Sequence, residues 1–184
     1  MQSYTMKNIF LLGLLALSLG GCKKDIDELP EATQTGANTF GARLNGEFWA
    51  PQGFGIMPTA PLLEARYGGN NSVFINARNF GSSPTETEFE IHLQGVTGPG
   101  TYLLNQNTAV YPAQSASYGY FVRRRIRPLN EYITNASQGG RVEVTRYDPV
   151  NHIISGTFEF RAPDKEHPDD VISVTEGRFD VKLQ

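Results

Sequence analysis

A single cysteine, Cys22, among 184 residues leaves this chain no intramolecular disulfide and no second thiolate for a metal site. Its three histidines include no pair at i, i+4, the spacing a helical zinc site uses. Basic charge is also scarce. Sixteen Lys and Arg stand against 19 Asp and Glu, a formal charge of −3, which gives no footprint for nucleic acid or an anionic bilayer. Long apolar runs are missing, since the uncharged stretch Ile9–Leu19 is too short for a span of about 20 residues. No G-x-S-x-G elbow, H-E-x-x-H helix, P-loop or G-x-G-x-x-G turn occurs, and Gly53-Phe54-Gly55 and Gly98-Pro99-Gly100 are loop glycines. The expectation is a non-catalytic protein with no cofactor, no metal and no nucleic-acid partner. One enzymatic alternative stays open, glycan processing, because glycoside hydrolysis needs only two acids in a cleft, and Glu47 near Trp49 is such a neighbour.

What the chain does have begins with a leader. Lys7 precedes Ile9–Leu19, and the small pair Gly20-Gly21 follows, which is the layout of a secretory signal peptide over 1–21. Met6 makes a more typical start than Met1. The run Leu19-Gly20-Gly21-Cys22 resembles a bacterial lipobox. That resemblance implies cleavage before Cys22 and a lipid on its thiol; the alternative is an ordinary secretory leader with an accidental cysteine. Two or three acyl chains would hold the protein to a membrane essentially permanently. Losing the first 21 of 184 residues, Lys7 among them, leaves 163 with a charge of −4, one domain of ordinary size.

Residues 22–38 then read as the lipidated cysteine and a flexible tether. Lys23–Asn38 is polar and acidic, with too few apolar residues to offset the entropy of ordering. As a coil of some 15 residues it would reach on the order of 20 Å. Lys23-Lys24-Asp25 with Asp27 and Glu28 resembles the charged export signal of Bacteroidetes surface lipoproteins. The resemblance implies an outer-membrane lipoprotein facing the cell exterior; a periplasm-facing lipoprotein is the alternative.

From 39 to 184, short runs of Val, Ile, Phe, Tyr and Thr alternate with Gly, Pro and Asn clusters, and no period of 3.6 persists. The pattern predicts an all-β domain with strands at Phe40–Leu44, Glu47–Trp49, Leu62–Tyr67, Ser72–Ala77, Thr87–Gln94, Gly100–Leu104, Ser117–Ile126, Gly140–Tyr147, His152–Ala162 and Val171–Lys182. About ten strands suit an antiparallel β-sandwich, with a lipocalin-like closed barrel as the alternative. Asn45-Gly46 is a type I′ hairpin signal, and Asp148-Pro149-Val150-Asn151 is a type I turn. Ile172 and Val174 lie on one parity and Phe179 and Val181 on the other, so a bulge near Glu176-Gly177 is expected.

The segments Asn38–Pro51 (NTFGARLNGEFWAP), Gly100–Tyr102 (GTY), Ser155–Phe160 (SGTFEF) and Glu176–Val181 (EGRFDV) resemble those of uncharacterised Bacteroidetes lipoproteins that share a domain of unknown function. The resemblance implies a small β-rich domain behind a lipid anchor. It brings no catalytic or ligand residues.

Candidate sites come from patterning alone. In Ser117–Arg127, alternation places Tyr118, Tyr120, Val122, Arg124 and Ile126 on an inner face, and Phe121, Arg123, Arg125 and Arg127 on an outer one. Arg123, Arg125 and Arg127 would form a stripe able to grip an anionic ligand, since guanidinium presents a fixed fork of donors. Alternatively the stripe pairs with Glu86, Glu88 and Glu90 on a neighbouring strand. Arg124, on the inner parity, marks a strand end, a bulge or a buried partner. Trp49 and Tyr111, at strand ends beside prolines, are the candidate aromatic platform, with Tyr67, Tyr102, Tyr118 and Tyr120 behind them; core packing is the competing role of each. The acidic loop Ala162–Asp170 fits no EF-hand and reads as a solvated hairpin loop. Together these features favour a binding or interaction module for glycan or an envelope protein, with a small-ligand carrier as the alternative.

Overall fold

The computed structural model describes residues 28–53, 61–81, 86–108, 116–124 and 130–184. Among them the regular structure is all strand. One sheet holds β1 (Thr39–Leu44), β2 (Glu47–Trp49), β6 (Gly100–Leu103), β9 (Gly140–Asp148), β10 (Ile153–Pro163) and β11 (Val171–Lys182), in the order β2-β1-β11-β10-β9-β6. The other holds β3 (Leu63–Tyr67), β4 (Val73–Asn79), β5 (Glu86–Leu93), β7 (Tyr118–Arg124) and β8 (Asn130–Ile133), in the order β3-β4-β5-β7-β8. Neighbouring strands are antiparallel, and the two sheets remain separate, so the fold is a sandwich and the closed barrel is excluded.

Strand positions follow the sequence pattern closely, except for β8. Its residues Asn130-Glu131-Tyr132-Ile133 place their two apolar side chains on opposite faces, so no alternation announces a strand. Tyr132 is nevertheless drawn inward opposite Phe121, to which it is register-paired. The expected turns are in place. Asn45 and Gly46 both have positive φ, as type I′ requires. In β11, Thr175 and Glu176 stand opposite the single Glu159, and Glu176 has φ 52°, which is the bulge the parity change demanded.

Facing side chains of the two sheets fill the interior: Phe40, Phe158, Phe160, Phe179 and Ile154 from the first, Phe89, Ile91, Leu93, Ile75 and Phe121 from the second. Full burial of each such side chain contributes about 1.5–3 kcal/mol. The recurrent Gly-x-Phe spacing has a packing cause here. Phe158 is register-paired with Gly177, and Gly156 with Phe179. A Cβ on Gly177 would stand 2.5 Å from the Phe158 ring, and one on Gly156 2.9 Å from that of Phe179. Each ring lies over the glycine opposite it, on the core side of adjacent strands.

The expected tether is corrected over its C-terminal half. Residues Leu29 to Asn38 form a strap over the outer face of the six-stranded sheet. Pro30 Cδ would meet a Cβ on Gly41 at 2.6 Å, and Arg178 Nη1 donates to the Pro30 carbonyl at 3.1 Å. Arg146 donates to the carbonyl of Gln34. Asp180 is the anchor: its carboxylate, 1% exposed, accepts from Thr33 Oγ1 at 2.7 Å and from the backbone N–H groups of Thr35, Gly36 and Ala37 at 2.9, 2.8 and 3.1 Å. Ser155 Oγ adds a further donor at 2.7 Å. These bonds outweigh the burial that would raise its pKa and hold the carboxyl far below the usual carboxylate range. A largely polar segment is thus ordered chiefly by one buried acceptor, with Leu29 and Pro30 packed on Gly41 at its start.

Candidate functional site

The arginine stripe does not form as alternation suggested. Register pairs Phe89 with Phe121 and Thr87 with Arg123, so Phe121 and Arg123 lie on the core side of β7, and Tyr118, Tyr120, Val122 and Arg124 lie on the outer side. The assignment of faces is therefore reversed. Arg123 sits at the end of the core, its guanidinium carbon 5.9 Å from the Phe121 ring centre and 5.6 Å from that of Tyr132. Arg125 and Arg127 lie outside the described residues. Among the described residues, the cross-strand ion pair from β7 to the acidic strand is that of Arg124, for which a buried partner was one of the expectations. Its Nη2 and Nε donate to Glu88 Oε2 at 2.7 and 3.2 Å.

Glu88 belongs to a buried polar layer on the outer side of the second sheet, which the sequence reading missed. Asn76, Glu88, Glu90, His92, Tyr118 and Tyr120 are each 8% exposed or less. Asn76 Nδ2 donates to Glu88 Oε1 and the Tyr118 hydroxyl to Glu90 Oε1, both at 2.5 Å, and Tyr120 donates to Glu131 at 2.7 Å. His92 stacks on Phe74 with centroids 4.1 Å apart, and Arg66 caps the same ring. Burial lowers the His92 pKa, so the ring is neutral, with Nδ1–H donating to the Ala116 carbonyl at 2.7 Å. The signal available was three acids and a histidine at period two, which read as a cross-strand partner for the arginines.

Trp49 is likewise no platform. It is buried, with its ring edge-on to Phe40 and Phe89 at 5.8 and 4.6 Å and Nε1–H donating to Thr87 Oγ1 at 2.9 Å. Tyr111 lies outside the described residues, while Tyr118 and Tyr120 belong to the buried layer and Tyr102 donates to the Gly98 carbonyl. The acidic loop folds back on itself: Asp164, 3% exposed, accepts from the N–H groups of Glu166 and His167, and Asp170 accepts from Tyr132. Among the described residues no three His, Asp or Glu side chains converge as metal ligands would.

Two of the concavities lined by described residues bear on function. On the outer face of the six-stranded sheet, an open trough of about 300 Å³ over Gly177 and Phe158 is lined by Arg141, Glu143, Thr157, Glu159, Glu176 and Arg178. Its charges are largely matched, with Arg141 2.7 Å from Glu159, Arg43 3.2 Å from Glu176, and Thr101 donating to Glu143 at 2.5 Å. The second, a cleft of about 480 Å³, opens where the chain after β11 crosses to β3. Gln184 N–H donates to the Ala65 carbonyl at 2.9 Å, and Tyr67 N–H to that of Gln184 at 3.2 Å. Leu63, Ala65, Val181 and Leu183 make an apolar floor, and Asn38, Asn151, His152, Lys182 and Gln184 a polar rim. Tyr67 stands beside the rim, its hydroxyl 3.5 Å from His152 Nδ1 and its ring edge-on to the imidazole. Burial first, then Tyr147 and Asp148, raises the Tyr67 pKa, so the phenol stays a neutral donor.

The family model described as Domain of unknown function (DUF6252) matches residues 37–181. The chain belongs to that family. No curated protein and no solved structure matches it. The matched span of the DUF6252 domain starts within the strap, at the residue whose N–H reaches Asp180, and runs through the last strand of the core.

In chemical terms the cleft of this DUF6252 domain is a hydrogen-bonding site. Its rim offers amides, an imidazole, an ammonium and a nearby phenol, which donate and accept in many directions, and its lining residues include no carboxylate side chain. That composition suits contact with a polar ligand above an apolar surface. Asp148, at the β9–β10 turn, is committed to Arg146 at 2.7 Å and to the turn N–H of Asn151 at 2.9 Å.

Proposed function

We propose that this protein is a lipid-anchored, non-catalytic binding module of the bacterial envelope, held by Cys22 and using the cleft rimmed by Asn38, Asn151, His152 and Lys182 to bind glycan. The observation that carries this reading is the cleft itself, an apolar floor under a polar rim free of side-chain acids. Sugars present apolar C–H faces beside dense hydroxyls, and both halves of the cleft answer to that. A protein partner is less well supported. The exposed large apolar side chains among the described residues are Leu103, on the edge strand β6, and Val150, at the β9–β10 turn, which is no contiguous patch. The leader and the charged Lys23–Glu28 run support an outer-membrane lipoprotein of the Bacteroidetes type, facing outward.

Binding of the Lys23–Gln184 chain to an array of envelope and host glycans, beside Lys182→Ala and Asn151→Ala, tests the proposal. Specific binding that both substitutions weaken at least tenfold, with unchanged unfolding midpoints, is the expected result. Binding indifferent to both substitutions moves the site off the cleft, and an array without any binder removes the glycan reading.

A further inference from the structure

The strap changes where an anchored domain can stand. Without it, the chain from Cys22 to Asn38 would reach up to about 58 Å when fully extended. With the strap docked, only Lys23–Asp27 lie between Cys22 and Glu28, and those six Cα steps span at most about 22 Å in any conformation. The chain joins the sandwich on one identifiable surface: Pro30 lies against Gly41 and under the Arg178 guanidinium, beside the Glu176 bulge, on the outer face of the six-stranded sheet.

We infer that the outer face of the six-stranded sheet is the membrane-facing surface of this protein, held against the lipid surface by the docked strap and the short leash to Cys22. The inference rests on the proposed lipidation and adds to it the orientation of the domain. The matched charges of this face, Arg141 with Glu159 and Arg43 with Glu176, give a bilayer little net charge to attract or repel, so proximity comes from chain length and is insensitive to salt. The glycan cleft lies at the end of the sandwich, where the strap turns at Gly36 and Asn38, and so opens sideways, clear of the bilayer. The outer side of the second sheet is farther by at least the sheet spacing of about 10 Å.

Full-length chain purified from bacteria and reconstituted in phosphatidylethanolamine–phosphatidylglycerol vesicles tests this. Its one native thiol is consumed by the lipid, so a cysteine introduced at the exposed Thr157 of the near face or at the exposed Glu86 of the far sheet takes a fluorophore alone. Energy transfer to an acceptor on the lipid headgroups should be at least threefold more efficient from Thr157→Cys than from Glu86→Cys, in low and high salt alike. A flexible insert of about ten Gly and Ser residues between Asp27 and Glu28 lengthens the leash and should erase the difference. Equal transfer from both labels in a chain whose intact mass includes the lipid overturns the orientation alone. A chain that carries no lipid overturns the anchor, and the orientation with it.

Discussion

Gly36 donates its backbone N–H to the buried carboxylate of Asp180 at 2.8 Å, across 144 positions of the chain. Three neighbouring donors of the same strap, Thr33, Thr35 and Ala37, converge on that group. A depressed carboxyl pKa contributes stability that is present above the ordinary carboxylate range and is lost as pH falls through the folded value. Asp180→Asn should therefore cost about 2–4 kcal/mol at neutral pH, because an amide turns an N–H toward donors that need an acceptor. Its deficit against the wild type should narrow below about pH 4, where unfolded wild-type chain begins to take up the proton. Urea unfolding at a series of pH values, followed by the sole tryptophan, reads both effects. A deficit that stays constant down to the acid limit would refute the charged clasp.

Gly177 and Phe158 give a test of the core. An alanine at 177 puts its methyl 2.5 Å from the ring, and the pairing of Gly177 with Phe158 itself on β10 leaves little room to yield. Gly177→Ala should destabilise by about 1–3 kcal/mol, the usual cost of overpacking. Phe158→Leu should recover part of that loss in the double variant, although it is itself destabilising. Additive losses in the cycle would show that the two side chains do not compete for the same space.

Glu88 is shared between Arg124 at 2.7 Å and Arg78 at 3.7 Å. Arg124→Ala should cost about 1–2 kcal/mol, the larger part of it from a buried carboxylate left with a distant partner. Glu88→Gln in the same background should cost less than it does alone. Thermal unfolding of the two single variants and the double gives the coupling, and a coupling near zero would mean that Arg78 and Asn76 satisfy Glu88 unaided.

The same pair shows where sequence reading reached its limit. On β5, Phe89, Ile91 and Leu93 alternate cleanly with Glu88, Glu90 and His92, and the apolar set meets the core. On β7 the alternation is a near tie, Tyr118, Tyr120 and Val122 against Gly119 and Phe121, and three arginines tipped it the wrong way. Register with β5 breaks that tie, because Phe121 must follow Phe89 inward, but register is a tertiary property. The bulge at Glu176 was legible because parity changed within one continuous strand. The strap and the cleft were not. Asp180 and Thr33 lie 147 positions apart, and the cleft joins Asn38, Leu63, Asn151 and Lys182, which share no local pattern.

Tyr132 closes the far end of the sandwich. Its ring is fully buried and its hydroxyl donates to Asp170 at 2.8 Å, tying the acidic loop to β8. Burial, with the hydrogen bond to Asp170, pushes the phenol up to about 12, while Arg123 beside the ring pulls the other way. A phenol titrating above its unfolded value of about 10 contributes stability that is complete below that pH and disappears as pH rises through the folded value. In an alkaline absorbance titration a late tyrosine step near pH 12 should appear, and Tyr132→Phe should abolish that step. The substitution should cost roughly 1 kcal/mol at neutral pH, since the exposed Asp170 regains water as its partner. Arg123→Ala should delay the same step further, because the cation that favours the phenolate is gone. A late step that survives Tyr132→Phe, or moves earlier in Arg123→Ala, would assign it to another tyrosine and place Arg123 elsewhere than against this ring.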